Sequence, residues 1–204
     1  GYDCLGGAAT DQATGDLPQD IIVLEDLGPG ECTDEGRAMM QIIHDVAPGA
    51  SQAFHTAFTG QAGFAQGIVD LNEVAGAQVI VDDVIYFAEP MFQDGVIAQA
   101  ADQVRANGAS FFSSAGNNER NSYESEFRGS GNPSEFGCEQ HDFDPGPGVD
   151  TLQRFILAPG TTFWSFQWDQ PAASVSGAPG SASDLDILLY LPNGDFTGFG
   201  GFSF

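Results

Sequence analysis

The chain has 204 residues, of which 29 are Asp or Glu and five are Arg, with no Lys, for a formal net charge of -24. Such a surface excludes nucleic acid as a partner, because a phosphate backbone needs a basic footprint that releases counterions, and anionic lipid is excluded likewise. A hydrophobic content of 42% with 17 Phe excludes a disordered chain, and the length accommodates one core or one and a half smaller ones.

The opening Gly-Tyr-Asp-Cys-Leu-Gly-Gly lacks the basic and apolar regions of a signal peptide, and residues 1 to 19 offer no strand. No run of 18 apolar residues occurs, so no membrane span is expected. Cys4, Cys32 and Cys138 fit neither a zinc pattern nor a redox pair, since no two lie within four residues. A disulfide between Cys4 and Cys32 would close a Gly-rich, turn-rich segment in an oxidising compartment; three reduced, buried thiols are the alternative, and Cys138 is left odd.

From residue 20 to about 118, short apolar runs alternate with amphipathic stretches, the pattern of βαβ units around a parallel sheet. Strands are expected at Ile21 to Leu24, Ala50 to Phe58, Gln78 to Val81 and Ala109 to Ser114. A first helix carries Ala38, Met39, Ile42, Ile43 and Val46 at helical spacing, capped by Thr33 or Asp34 and stopped by Ala-Pro-Gly. Two more run from Gln61 to Ala75 and from about Phe92 to Asn107. Beyond residue 120, Asn, Ser, Gly, Glu and Pro dominate up to Val149. Three β-like runs follow, Leu152 to Leu157, Thr162 to Trp168 and Leu185 to Leu191, separated by Gly-containing turns as in a sandwich or jelly roll. The closing Gly-Phe-Gly-Gly-Phe-Ser-Phe finishes no strand of such a sheet, so this last domain is expected to be incomplete.

Glu35 is the most informative side chain. On a helix it falls in register with Ala38, Met39 and Ile42, which aims it at the sheet. Burial raises a carboxyl pKa while the positive helix terminus lowers it, an opposition suited to a general base; the alternative is a first-turn glutamate that supports the helix dipole. His44, His55 and His141 lack ligand spacing and read as surface or packing residues.

The stretch from Asp34-Glu-Gly-Arg through His44-Asp-Val-Ala-Pro-Gly-Ala50 resembles the second catalytic segment of the subtilases, where a helix opens with His-Gly-Thr and ends at Ala-Pro-x-Ala. Glu35-Gly36 stands in the His-Gly place, as in the related sedolisins, but the sedolisin companion Asp is Met39 here. Ser113-Ser-Ala-Gly-Asn117-Asn resembles the subtilase strand end whose Asn donates to the oxyanion. Val79-Ile-Val-Asp-Asp83-Val-Ile stands where subtilases keep the strand that pairs with substrate backbone, making Asp83, Val84 and Ile85 substrate-binding positions. Asp82 and Asp83 depart from the family pattern and read as a solvated strand end, as the acid that orients Glu35, or as a selector of basic or extended peptides.

The resemblance, over roughly residues 4 to 125, implies a secreted serine endopeptidase with Glu35 as general base, Asn117 in the oxyanion hole and a polypeptide substrate. The strand ending in the orienting Asp is expected ahead of Gly1, Asp3 being a poor substitute, and the Gly-Thr-Ser-x-Ala nucleophile segment occurs nowhere, so these residues alone should not hydrolyse peptide bonds. Phe155-Ile-Leu-Ala-Pro-Gly-Thr-Thr-Phe and Ser183-Asp-Leu-Asp186 onward resemble the pre-peptidase C-terminal type of jelly roll. The implied organisation is α/β: a partial three-layer, parallel-sheet peptidase domain at 1–125, a linker at 126–149 and a partial all-β insertion at 150–204. No cofactor is required. Calcium is admissible at Asp184 and Asp186, which alternate on one strand face, an exposed strand edge being the plainer reading. The rival function is a noncatalytic secreted binding or adhesion protein on a degenerate subtilase scaffold.

Overall fold

The computed structural model describes residues 1–156 and 164–199. The described elements, in chain order, are α1 (Ala8–Thr14), β1 (Ile21–Glu25), α2 (Glu35–Val46), β2 (Gln52–His55), α3 (Gly60–Glu73), β3 (Val79–Asp82), α4 (Val96–Ala106), β4 (Ser110–Ser113), β5 (Gly129–Pro133), β6 (Glu139–His141), α5 (Ala173–Ser176), β7 (Leu188–Tyr190) and β8 (Phe196–Phe199). The molecule is mixed α/β and divides into two compact units, one of 1–115 with 165–204 and one of 116–164.

In the first unit the expected alternation of strands and helices is present, in two parallel pairs. β1 pairs with β2 in the register Ile21↔Gln52 and Val23↔Phe54, and β3 with β4 in the register Val79↔Ser110 and Asp82↔Ser113. Among the described residues the two pairs do not join into one sheet, although α3 packs against β1, β2 and β3 alike. The strand alternation of β2 sends its side chains to opposite faces. Phe54 meets Gly36 of α2, where a Cβ would collide with the ring, and Gln52 donates to the Met40 carbonyl at 3.1 Å. His55, on the other face, meets Gly67 of α3, where a Cβ would run into the imidazole. Two helix layers thus enclose the β1–β2 pair, each brought close by a glycine.

The core lies between α3, α4 and the β3–β4 pair. Phe64, Ala65 and Ile68 of α3 pack with Ile80 of β3, Ala100 and Val104 of α4, and Ala109. Each fully buried aliphatic side chain contributes about 1.5–3 kcal/mol, which is why these short strands hold without a wide sheet. Tyr86 stacks on Phe64 with ring centroids 5.6 Å apart and donates its hydroxyl hydrogen to the Ala57 carbonyl. The opposite face of the β3–β4 pair leaves Val79, Val81 and Phe112 exposed.

Residues 8–14, where no strand was expected and none is found, form a helix, entered and left through Gly7 and Gly15, both at positive φ. Other expectations change. The helix expected from Phe92 begins at Val96, because Pro90 and the extended Gly95 precede it and Glu89 accepts the Ile97 and Ala98 N–H groups at 3.2 and 3.3 Å. In the tail, the runs expected as strands at Leu152 to Leu157 and Thr162 to Trp168 have no strand in their described parts, 152–156 and 164–168. Their remaining residues, with Ala158 to Thr161 of the second resemblance and the 200–204 ending, lie outside the described residues. Of the Leu185 to Leu191 run only Leu188–Tyr190 is a strand, in an antiparallel hairpin with β8. In 165–172 the Ala172 N–H donates to the Gln93 side chain and the Gln170 N–H to the nearby Trp168 carbonyl, neither of them to a neighbouring strand. Among the described residues the tail thus carries one two-stranded hairpin, and the expected jelly roll is not seen. In the second unit, the 126–149 stretch read as a linker carries the antiparallel β5–β6 pair.

Candidate functional site

Glu35 opens α2, as the resemblance requires, but it is exposed. The helix is rotated relative to the expectation. Met40 is its buried residue and Gly36 its closest approach to β2, while Ala38 and Ile42 face outward. Arg37 fixes that rotation. Its guanidinium, 13% exposed, pairs with Asp3 at 3.3 Å, Asp11 at 3.0 Å and Asp34 at 2.7 Å, and donates to the Tyr2 carbonyl at 3.1 Å. Asp34 occupies the N-cap position without capping; its carboxylate instead accepts the Leu5 N–H at 3.0 Å. Burial pushes the Asp34 carboxyl up, but the Leu5 N–H and the Arg37 charge outweigh it and hold the group below the usual carboxylate value.

The N-terminal segment is fastened beside this hub. Cys4 and Cys32 form a disulfide, with Cα atoms 5.6 Å apart, and Cys138 is free and exposed. Asp26 accepts the Tyr2 and Asp3 N–H groups at 3.1 and 2.9 Å, and the Gly1 ammonium donates to the Thr33 carbonyl at 2.7 Å. Among the described residues the group of three that could hold a metal ion is Cys4, Asp26 and Cys32. With both sulfurs in a disulfide, that group offers no thiolate. Asp184 and Asp186 are exposed on alternate positions, and no third Asp, Glu, His or Cys among the described residues completes a ligand group with them.

At the carboxyl end of β3, Asp82 is half-buried and Asp83 exposed. Asp82 accepts the Ser113 hydroxyl at 2.9 Å, across the parallel pair, and the Val84 N–H at 3.3 Å. Burial raises its pKa, the Asp83 charge adds to the rise, and the Ser113 and Val84 donors oppose it. Neither carboxylate bonds to Glu35, so Asp82 serves the β3–β4 end and not the helix. Val84 packs at the margin of the core and Ile85 is 58% exposed. Asn117 follows β4 in sequence, is exposed, and belongs to the second unit.

Two histidines read as packing residues hold defined partners. His55 has a side chain only 6% exposed, with Nε2 3.3 Å from the Glu25 carboxylate and Nδ1 2.7 Å from the Thr56 carbonyl. The two residues meet because each closes a strand of one parallel pair, in the register Glu25↔His55, and nothing in their spacing along the sequence shows that register. In the second unit, His141 Nδ1 accepts the Arg128 backbone N–H at 3.0 Å while Nε2 lies 3.0 Å from the Tyr123 hydroxyl. Phe143 packs edge-on to its ring at 4.7 Å.

Burial, then the Arg128 charge, lowers the His141 pKa below its ordinary 6.5, against the opposing pull of Asp142. The unfolded chain therefore takes up a proton near pH 6.5 that folded His141 refuses, and stability falls as pH drops through that value. Protonation would also set an Nδ1 hydrogen against the Arg128 N–H. Melting curves between pH 7.5 and 5.5 are expected to show the β5–β6 unit weakening toward acid, with His141→Gln flattening the dependence; equal slopes in both proteins would contradict the assignment.

No family model, curated protein or solved structure matches this chain. Its function is argued from these residues.

Proposed function

We propose that the chain is part of a secreted serine endopeptidase of subtilase type acting on polypeptides. Glu35 is its general base, Asn117 donates to the oxyanion, and Asp83, Val84 and Ile85 line the groove for substrate backbone. The orienting Asp and the nucleophilic Ser come from sequence outside these 204 residues, so the present residues alone are inactive. The observation that carries this reading is the order of elements around the motifs: α2 opens on Glu35-Gly36, β3 closes at Asp82 before Asp83, and β4 closes at Ser113 before Asn117. Carboxyl ends of parallel strands are where open α/β folds gather ligands. The Cys4–Cys32 disulfide supports export, since such bonds persist in oxidising compartments.

The test uses a polypeptide extended at both ends to supply the two missing groups. Losing one oxyanion donor typically lowers kcat by about 10²–10³-fold. Asn117→Ala is expected to lower kcat for an unfolded protein or peptide by that amount with little change in KM. An unchanged kcat would remove the oxyanion role. The exposure of Glu35 is the one observation that favours a noncatalytic binding protein. Such a protein predicts retained peptide affinity and no turnover in the extended polypeptide.

A further inference from the structure

We propose that Gln167 and Gln93 are positioning residues that fasten the 87–93 loop to the 165–183 segment, and so set the groove wall that begins at Asp83, Val84 and Ile85. The inference rests on the peptidase reading for its consequence, but its evidence is independent of it. The loop has no strand partner of its own. Gln167 supplies one with a single carboxamide: Nε2 donates to the Phe87 carbonyl at 3.3 Å and the Glu89 carbonyl at 2.8 Å, while Oε1 accepts the Met91 N–H at 2.8 Å. Ser165 adds a hydroxyl donated to the Phe87 carbonyl at 2.8 Å.

The arrangement is reciprocal. Gln93, from the loop, accepts the Ala172 N–H at 2.6 Å and donates to Ser176 Oγ at 3.1 Å. The segment is braced behind the contact, where Gln170 Oε1 accepts from Ser181 Oγ, Ala182 N and Ser183 N, and Trp168 Nε1 donates to Ser181 Oγ at 2.8 Å. Glu89, in the middle of the loop, also ties it to the first turn of α4. Ile85, just before the loop, and Met91 and Phe92 within it are 58%, 62% and 51% exposed. On the peptidase reading these exposed apolar side chains meet apolar side chains of an extended polypeptide, and the clamp holds Met91 and Phe92 in place to do so.

Gln167→Glu isolates the donor role. The carboxylate is isosteric and still accepts the Met91 N–H, but it turns an oxygen toward two carbonyls. Hydrogen–deuterium exchange on the intact chain is expected to quicken about tenfold or more at residues 87–91, as loss of two donated bonds implies. Should that variant fail to fold, Ser165→Ala removes the bond donated to Phe87 and the one accepted from Gln167 while leaving the Gln167 carboxamide in place, and is expected to give about threefold. In the extended, active polypeptide, Gln167→Glu is expected to raise KM for apolar peptides about tenfold with kcat nearly unchanged. Unchanged exchange would overturn the fastening, and faster exchange with an unchanged KM would overturn the positioning role. Absence of hydrolysis by the unaltered extended protein would instead overturn the peptidase reading, with exchange still deciding the clamp.

Discussion

Replacing both Cys4 and Cys32 by Ser is expected to lower stability by about 3.6 kcal/mol at 25 °C, the chain-entropy value for a loop whose ends are 28 residues apart. The native contacts of the bridged segment survive the change, because Asp26, Thr33, Asp34 and Arg37 each hold backbone of residues 1–5 without help from sulfur. The loss therefore falls chiefly on the unfolded chain, which regains the freedom that the bridge removes. For a chain of this length each kcal/mol corresponds to about 2–4 °C, so calorimetry should show the first unit melting roughly 10 °C lower. A change of less than about 1 °C would show that the salt-bridge hub, and not the bridge, limits opening of the N-terminal segment.

The part of the fold that was legible in the sequence is the part whose burial is periodic. Phe64, Ile68 and Leu71, and the alternation through Ile80, each announce one face, and α3 and β3 lie where those faces point; the unbroken apolar run Ile21 to Leu24 announces a strand but no face, and Ile22 and Val23 are exposed. What stayed illegible depends on partners remote in the chain. The rotation of α2 is set by Arg37 reaching Asp3 and Asp11, more than 20 residues upstream, and by Gly36 against Phe54, and no local pattern of apolar residues encodes either. The start of α4 is fixed by Glu89, whose carboxylate reaches over Gly95 to Ile97 and Ala98. The tail alternates aromatics as strands do, yet Gln167 and Gln170 take up backbone groups that a sheet would have used, a choice that composition does not show.

The candidate site was legible to the same degree. Residue types and their order placed Glu35 at a helix start and Asp83 just past a strand end, and those placements depend only on local signals. Burial of Glu35 depended on the helix rotation and was misread with it. The pairs Asp82–Ser113 and Glu25–His55 required the strand register, which the sequence does not display.

The proposed general base is best tested by Glu35→Gln in a polypeptide extended at both ends, provided that the unaltered extended polypeptide hydrolyses peptides. Glutamine keeps the size and the hydrogen-bonding reach of the side chain but cannot take a proton, and general-base catalysis is typically worth about 10²–10⁴-fold. Because Glu35 is exposed, the substitution should leave stability within about 0.5 kcal/mol, so a kinetic change cannot be blamed on unfolding. With Glu35 as general base, kcat for peptide hydrolysis falls by at least about 10²-fold with KM nearly unchanged. A kcat within about twofold of the unaltered protein would contradict that role.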